Sequence, residues 1–349
     1  MPQHFDFIIV GQGIAGTLLS HNLTEAGRTV LVIDDYNPSS SSQVAAGIIH
    51  PVTGRRLVKS WMYADTFPVA LQTYRKLEQK FNTDLFIEKP ILEIFDSVKT
   101  KNDWSIKSED ASFANIAGKM LPPGFNDSIE APHGAIEING GGFLLIKKLM
   151  DVWRNYLMQK KIVLNEKFDI DFLSHHENGI VYKDYEATKI IFCEGFTATE
   201  NPYFKSLPFQ PSKGEVLIVK CEALTNEYII NKSNYILPLD NQHFKIGATF
   251  DWQNLNTEPT AAAREKLTQQ FAFIIKAPFT IENHFAAVRP TVKDRKPFIG
   301  LHPHYTNVCI FNGLGTKGVL LSPWLANMMC DLLINEQPVV REVQIGKYY

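Results

Sequence analysis

The stretch Phe7-Ile8-Ile9-Val10-Gly11-Gln12-Gly13-Ile14-Ala15-Gly16 decides the fold of this chain. Its first four residues are apolar, which is typical of a buried strand. Gly11 permits a tight turn, Gly13 lets a pyrophosphate approach the backbone, and Gly16 lets the next helix pack close to the strand. Ile14 and Ala15 stand where that helix begins, and its free N–H groups attract phosphate. The stretch therefore predicts a dinucleotide-binding turn.

The residues that follow complete the same pattern. Apolar residues at helical spacing continue as far as Leu23, Gly27 ends the helix, and Val30-Leu31-Val32-Ile33 reads as a second strand. An acidic residue about 20 positions beyond the glycines binds the ribose hydroxyls in such folds. Asp34 has that position, and Asp35 is the alternative. The alternative is a glycine-rich turn that binds no ligand. The agreement of strand, glycines, helix, second strand and acidic residue favours dinucleotide binding.

Composition limits the class of protein. The chain has 349 residues, of which 45% are hydrophobic, so it is long enough for two domains with sizeable cores. A formal charge of -2 gives no general attraction to nucleic acid or to an acidic membrane. Four cysteines without a CxxC pair predict buried thiols in a reducing compartment and no metal site.

Two further features predict a cytoplasmic protein without a membrane segment. The N-terminus enters a strand by Phe5, with no targeting segment ahead of it. The most apolar late stretch, from Val319 to Ile334, contains Ser322, Pro323 and Asp331. It is expected to be a core-facing helix, too short and too polar to cross a bilayer.

The middle of the chain differs from its two ends. Glu215–Lys220, Tyr235–Leu239 and His243–Phe250 read as successive antiparallel strands with polar turns. A later strand at Val308–Phe311 precedes the glycine-rich segment Asn312–Gly318 and a last helix. Because the N-terminal unit cannot complete a doubly wound sheet alone, we expect these late elements to close it.

Four segments in this order resemble the D-amino-acid oxidase superfamily of FAD-dependent oxidoreductases, which includes glycine and sarcosine oxidases. The first is the glycine turn, and the second is Ser42–Pro51, similar to the family loop that passes along the flavin and the pyrophosphate. Val288-Arg289-Pro290-Thr291 resembles the family's substrate-arginine segment, and Asn312–Gly318 resembles its glycine turn before the closing helix.

The resemblance implies an α/β fold. A Rossmann-type, doubly wound and mostly parallel sheet would bind FAD, and an inserted α+β substrate domain would be built on an antiparallel sheet. The corresponding division is 1–84, 135–203 and 286–349 for the FAD-binding domain, and 85–134 and 204–285 for the substrate-binding domain.

The resemblance also implies the residues that contact FAD. Small residues in the second segment let the backbone lie close to the flavin, and ordinary helix–sheet packing is the less favoured alternative. The start of the closing helix would stabilise negative charge on the reduced flavin. The flavin should be non-covalent, because no cysteine stands near Val288. The expected cofactor contacts are Gly11, Gly13, Ile14, Ala15, Gly16, Asp34, Asp35, Ser42, Ala45, Ala46, Gly47, Gly313, Gly315, Thr316, Lys317 and Gly318.

Three residues are the catalytic candidates implied by the resemblance. Arg289 would bind a substrate carboxylate, although a structural ion pair with Asp294 or Glu282 is an alternative. Tyr235 would assist that contact, or it is an ordinary half-buried strand tyrosine. Lys245 would promote reaction with oxygen near flavin N5, as in the sarcosine-oxidase branch, or it is a solvated strand lysine.

Other residues stay open at this stage. His50 could face the flavin, although a histidine in an apolar run is more often a satisfied core residue. Arg55, Arg56 and Lys59 could clamp an acidic substrate, although a solvated basic turn explains them better. Glu194-Gly195 departs from the family, which has a small residue before that glycine, and this leaves the local flavin contact in doubt.

The resulting expectation is an oxidoreductase for amino acids or secondary amines. Hydride transfer from the substrate to flavin N5 would give an imine that water hydrolyses, and oxygen or another acceptor would reoxidise the flavin. An alternative is oxidation of a carboxymethylaminomethyl-type modified tRNA uridine, since the late segments also look similar to the oxidase domain of the bifunctional tRNA-maturing enzyme. A non-catalytic flavin-binding protein would leave Arg289 and Tyr235 without a purpose.

Overall fold

The computed structural model describes residues 3–54, 56–176 and 179–349. Within these residues the chain forms seven α-helices: α1 (Ile14–Glu25), α2 (Ser41–Val44), α3 (Tyr63–Phe81), α4 (Val98–Ser108), α5 (Ile146–Lys160), α6 (Ala261–Ile274) and α7 (Gly318–Asn335).

The strands of the described residues, in chain order, are β1 (Gln3–Val10), β2 (Val30–Ile33), β3 (Ile48–Ile49), β4 (Val52–Thr53), β5 (Val58–Lys59), β6 (Phe86–Glu88), β7 (Ile91–Ile94), β8 (Ala117–Leu121), β9 (Ala135–Ile138), β10 (Gly142–Leu144), β11 (Val163–Leu164), β12 (Leu173–His176), β13 (Gly179–Tyr182), β14 (Tyr185–Phe192), β15 (Ser212–Lys220), β16 (Ile229–Asn231), β17 (Tyr235–Pro238), β18 (His243–Gly247), β19 (Thr280–Arg289), β20 (Phe298–Leu301) and β21 (Val308–Asn312).

The first large sheet, here called the parallel sheet, is built on β1. Strands run in the order β11-β2-β1-β14, and β21 pairs in parallel with the end of β14. Strands β12, β13 and β20 extend it with antiparallel pairs. β1 is central and buried on both faces, which explains its continuous apolar run.

Helices cover one face of the parallel sheet. Ile9 and Val32 on that face share a core with residues of α1, α3, α5 and α7, among them Leu18, Trp153 and Leu325. The early strand–helix–strand unit and the late β21–α7 pair are thus parts of one domain.

The second large sheet, here called the antiparallel sheet, has the order β19-β15-β18-β17-β16-β7-β9-β8. Only the β16–β7 pair in it is parallel. α6 covers one of its faces, where Leu267 and Phe271 pack against Leu217 and Ile246. The opposite face carries the predicted catalytic residues.

The predicted fold class is confirmed: a mostly parallel, Rossmann-type sheet is combined with an inserted antiparallel sheet. The residue division between the two domains stays a prediction. Two strands lie at its borders, since β9 (Ala135–Ile138) and the end of β19 (Thr280–Arg289) pair within the antiparallel sheet.

Helix α7 differs from expectation. It has 18 residues and is long and apolar enough, by length and composition, to cross a membrane. The expectation that this segment is too short and too polar was therefore wrong, because the helix begins one residue earlier and ends one residue later. More than half of it is buried inside the protein, where it packs against α1 and α3, as the core helix of a soluble protein does.

Candidate active site

Two glycines at the turn between β1 and α1 have no room for a side chain. Gly11 has a φ of +96°, and a Cβ there would lie 2.6 Å from the carbonyl oxygen of Cys193 at the end of the neighbouring β14. A Cβ at Gly16 would overlap the carbonyl oxygen of Gly11. The turn is therefore compressed between helix and sheet, and it leads directly into a helix N-terminus, the kind of site that binds a pyrophosphate.

The start of α1 faces the second of the four segments. Gly13 caps the helix without a side-chain hydrogen bond, and Ser42 Oγ accepts a 3.0 Å hydrogen bond from the N–H of Ile14. Two buried polar atoms nearby in sequence, Tyr36 Oη and Gln43 Nε2, have no hydrogen-bond partner among the described residues. The N-terminus of α1, with unsatisfied polar groups close in sequence to Ser42, fits the polar end of a dinucleotide.

Asp34 lies at the end of β2 against this turn. Its Oδ2 accepts 2.7 Å from the N–H of Gln12, and its Oδ1 accepts from the N–H of Tyr36 and from Arg154 Nη1. Burial raises the pKa of Asp34 above its usual value, against the opposing effect of these donors. Asp35, the alternative, is exposed.

Arg154 is a residue that sequence reasoning missed. From α5 it donates to Gln12 Oε1 at 2.7 Å and to the carbonyl oxygen of Asp34 at 3.0 Å, and its guanidinium stacks on Tyr36. Its side chain is 9% exposed. Arg154 therefore holds the turn and the acidic residue together.

The late glycine segment meets the early one. Gly313 and Gly315 have φ of +75° and +55°, and α7 begins at Gly318, whose Cβ position lies 3.3 Å from Ile14 at the start of α1. Both helix N-termini therefore reach the same region. Of the other predicted contacts, Ala15 and Gly47 are buried, Ala46 is half-buried, and Ala45 and Thr316 are exposed.

Lys317 lies just ahead of α7. Its Nζ donates 2.8 Å to Ser60 Oγ, which in turn donates to the carbonyl oxygen of His50. Burial lowers the pKa of Lys317 to about 8. The ammonium group has no carboxylate partner among the described residues.

The three predicted catalytic residues share one face of the antiparallel sheet. In β17 and β18, Tyr235 pairs with Gly247 and Leu237 pairs with Lys245, which places Tyr235 and Lys245 on the same face. In β15, Val216 pairs with Gly247 and Ser212 pairs with Arg289, so Arg289 lies on that face as well. Strand pairing thus brings together residues far apart in sequence.

Arg289 crosses this face with its guanidinium over Gly214. A Cβ at Gly214 would overlap Cζ and both terminal nitrogens of the arginine. Nη1 and Nη2 each donate to the carbonyl oxygen of Thr249 at 3.3 Å, and Cζ lies 4.6 Å from the ring centre of Phe250. Burial lowers the pKa of Arg289, although a guanidinium stays charged.

The ion pairs considered for Arg289 do not occur in the described residues. Asp294 accepts from Lys347 Nζ and Tyr348 Oη, each at 2.9 Å, and Glu282 lies 3.3 Å from His243 Nε2. Arg289 therefore faces the site without a carboxylate.

Tyr235 packs onto a second glycine. A Cβ at Gly247 would lie 2.7 Å from Tyr235 Oη. Burial raises the pKa of Tyr235, and the nearby charge of Arg289 opposes this shift. The phenol is therefore protonated at neutral pH, close to the guanidinium.

Lys245 joins the antiparallel sheet to the segment that follows β2. Its Nζ donates 3.2 Å to each of the carbonyl oxygens of Val44 and Ala45. Burial lowers the pKa of Lys245 to about 8. Lys245 is thus a half-buried cation bound to the predicted flavin loop, which the alternative of a solvated strand lysine does not describe.

The remaining candidates lie as follows. His50 accepts from the N–H of Val52, and its Nε2 lies 3.5 Å from Glu93. Arg56 is exposed, Lys59 lies 5.3 Å from the Phe113 ring, and Arg55 is outside the described residues. Burial raises the pKa of Glu194, which accepts from Asn201, to about 7.

Comparison with known proteins agrees with this architecture. Residues 6–332 match the family model described as FAD dependent oxidoreductase (DAO). Glycine oxidase of Pseudomonas putida is 22% identical over 95% of this chain and 95% of its own length. The solved structure of iminodiacetate oxidase from Chelativorans sp. BNC1 has a TM-score of 0.82 at 20% identity, with 97% of this chain and 99% of that chain covered.

A relative named for tRNA modification also matches. The bifunctional protein of tRNA 5-methylaminomethyl-2-thiouridine biosynthesis from Idiomarina loihiensis is 22% identical over 98% of this chain, and the match covers 59% of its length.

The chain belongs to the DAO family of FAD-dependent oxidoreductases. It is an FAD-dependent oxidoreductase, and the predicted family, cofactor and oxidoreductase activity are confirmed.

Proposed function

We propose that this enzyme oxidises the C–N bond of a small amino acid or secondary amine whose carboxylate binds Arg289. The observation that carries the proposal is the guanidinium of Arg289, which is largely buried and has no carboxylate partner among the described residues. Its two recorded hydrogen bonds go to one carbonyl oxygen at 3.3 Å, so it keeps donors for a bidentate partner.

Tyr235 supports the same contact. Its phenol is protonated and lies near Arg289, so it can donate a further hydrogen bond to a bound carboxylate. Gly214 and Gly247 leave the space in which the two side chains lie together.

The bound FAD, which we propose to be non-covalent, supplies the redox chemistry by accepting two electrons from the substrate. Arg289 and Tyr235 fix the substrate by its carboxylate, which orients the C–H bond next to the amine nitrogen. The amine binds in its neutral form, and water hydrolyses the imine product. Lys245 places a positive charge beside the loop at Val44 and Ala45, where it would stabilise negative charge that develops on oxygen.

The proposal is tested by adding glycine, sarcosine and iminodiacetate anaerobically to the holoenzyme and following loss of the flavin absorbance. Arg289→Lys keeps the positive charge but loses the paired N–H donors that bind a carboxylate at two points, so the apparent substrate affinity should fall. Arg289→Ala should lower kcat/KM on the order of a hundredfold or more, since truncating one side of a buried charge pair costs roughly 2–5 kcal/mol. Arg264→Ala, an exposed arginine on α6, is the control. Wild-type rates in Arg289→Ala would exclude the carboxylate anchor.

A second candidate function is oxidation of a carboxymethylaminomethyl uridine in tRNA. The observation in its favour is the match to the tRNA-modifying bifunctional protein over nearly the whole chain. Such a group is a glycine derivative, so it would present the same carboxylate to Arg289. Incubation with tRNA that carries this nucleoside, followed by nucleoside analysis, would separate the two candidates.

Oxygen as electron acceptor and a cytoplasmic location complete the proposal. The position of Lys245 supports oxygen. The four cysteines are free thiols, which supports a reducing compartment.

A further inference from the structure

Phe250 and Trp252 form an exposed aromatic pair next to Arg289. Their side chains are 52% and 59% exposed, and the rings stack with centres 6.0 Å apart and planes inclined by 21°. Phe250 also contacts the guanidinium of Arg289, with its ring centre 4.6 Å from Cζ. The three groups therefore form a continuous row that leads from the proposed carboxylate anchor to solvent.

The segment that carries this pair is fixed on both sides. Residue Lys213 exchanges two backbone hydrogen bonds with Asp251, at 2.7 and 3.0 Å. The N–H of Glu215 donates to Thr249 Oγ1, and the N–H of Thr249 donates to the carbonyl oxygen of Glu215. Phe250 thus lies between two backbone anchors on β15, and Trp252 follows directly after the second.

Two buried charged residues of β15 add side-chain contacts to these backbone hydrogen bonds. Lys213 and Glu215 are 1% and 3% exposed, and their side chains lie 3.5 Å apart. Lys213 Nζ donates to Asn256 Oδ1 at 2.7 Å, and Glu215 accepts from the N–H and the hydroxyl of Thr260. The loop from Thr249 to Thr260 is therefore held in place, so its exposed rings are preorganised for a ligand.

We propose that Phe250 and Trp252 are a specificity subsite that stacks a planar ring carried on the amine nitrogen of the substrate. This inference rests on the proposed function, because the row begins at the arginine that would hold the carboxylate. Exposed aromatic rings offer a stacking surface for any planar π-system, whereas glycine and sarcosine have no group that could reach it. The substrate class is accordingly an N-(arylmethyl)glycine.

Binding of two unreactive ethers to the holoenzyme tests the subsite. Benzyloxyacetate and methoxyacetate both present a carboxylate, and only the first carries a ring. In the wild type we expect benzyloxyacetate to bind about tenfold more tightly, which corresponds to about 1.4 kcal/mol. Trp252→Ala should reduce this ratio to about one. Phe273→Ala, which removes another exposed aromatic ring on α6, should keep it.

Two further measurements distinguish failure of the aromatic subsite from failure of the carboxylate anchor. Cyclohexylmethoxyacetate has a similar size without a planar ring, so it should bind more weakly than benzyloxyacetate in the wild type. Arg289→Ala should weaken both ethers by the same factor. A ratio unchanged by Trp252→Ala would overturn the subsite, and ether binding unchanged by Arg289→Ala would instead overturn the carboxylate anchor.

Discussion

The guanidinium of Arg289 lies directly over the α-carbon of Gly214, in the space that any other residue's Cβ would occupy. The two residues are on paired strands, with Gly214 opposite Ala287 and Arg289 opposite Ser212. Because β15 supplies no side chain at this point, the arginine lies flat across the sheet and reaches Thr249. The position of the proposed anchor therefore depends on a residue that has no side chain.

The first prediction follows from this contact. Gly214→Ala should displace the guanidinium and lower kcat/KM for a carboxylate substrate about tenfold or more, equivalent to about 1.4 kcal/mol or more. The FAD content should stay at the wild-type level, because the glycine turn belongs to the parallel sheet and Gly214 to the antiparallel sheet. Gly346→Ala, where the nearest atom is 3.7 Å from the added Cβ, is the matched control. Unchanged kinetics in Gly214→Ala would mean that Arg289 does not need this position.

The second prediction concerns Lys245 and pH. Since the pKa of Lys245 is about 8, its ammonium is charged below that pH and neutral above it. The rate of reoxidation of reduced flavin by oxygen, measured by stopped flow, should fall as the pH rises through about 8. In Lys245→Met, reoxidation by oxygen should be slow at every pH. The rate of flavin reduction by substrate should change much less than the rate of reoxidation.

Lys220→Met is the control for that experiment, because Lys220 lies on β15 and pairs with Glu222 away from the predicted flavin loop. Equal oxygen rates in Lys245→Met and in the wild type would contradict the assigned role.

The third prediction distinguishes Asp34 from Asp35. Asp34→Asn should weaken FAD binding by about 1–3 kcal/mol, since the carboxylate both faces the cofactor region and holds the N–H of Gln12. Asp35→Asn should leave the FAD dissociation constant unchanged, because Asp35 is exposed. Titration of the apoprotein with FAD measures both constants. The reverse pattern would transfer the role to Asp35.

The fourth prediction uses the buried carboxyl of Glu194. Its pKa is about 7 in the folded protein and near the usual 4.5 in the unfolded chain. The folded state therefore holds the proton more tightly, and the free energy of unfolding falls as the pH rises from about 4.5 to 7. Glu194→Gln should remove this loss, so it should raise Tm at pH 8 more than at pH 5.

Thermal unfolding of the apoprotein at the two pH values measures the effect of Glu194→Gln. Glu200→Gln is the control, since Glu200 is exposed and close in sequence. A shift in Tm that is equal at both pH values would show that the carboxyl is ionised to the same extent in both states.

Local patterns predicted the glycine turn, because Gly16 packs on Gly11 within one strand–turn–helix unit and Gly11 needs a positive φ. Resemblance supplied Arg289, Tyr235 and Lys245, and the structure places them on one face of the antiparallel sheet. Their roles stay predictions.

Arg154 and Gly214 could not be found in this way. Arg154 acts across more than a hundred residues of chain, and Gly214 matters only because β15 pairs with β19. No local pattern marks either of them. The predicted strand His243–Phe250 was also too long: β18 ends at Gly247, because the residues after it pair with β15 in a register shifted by one residue.

The contact between Ile14 and Gly318 has a consequence for how the chain is made. The first helix of the dinucleotide-binding domain packs on the last one, and β14 joins β1 to β21. During synthesis, β1 and α1 leave the ribosome early but stay without these partners until residues 308–335 have followed. The antiparallel sheet, whose strands all lie between residues 91 and 289, can pair before then. Cofactor capture accordingly waits until residues 308–335 have been translated.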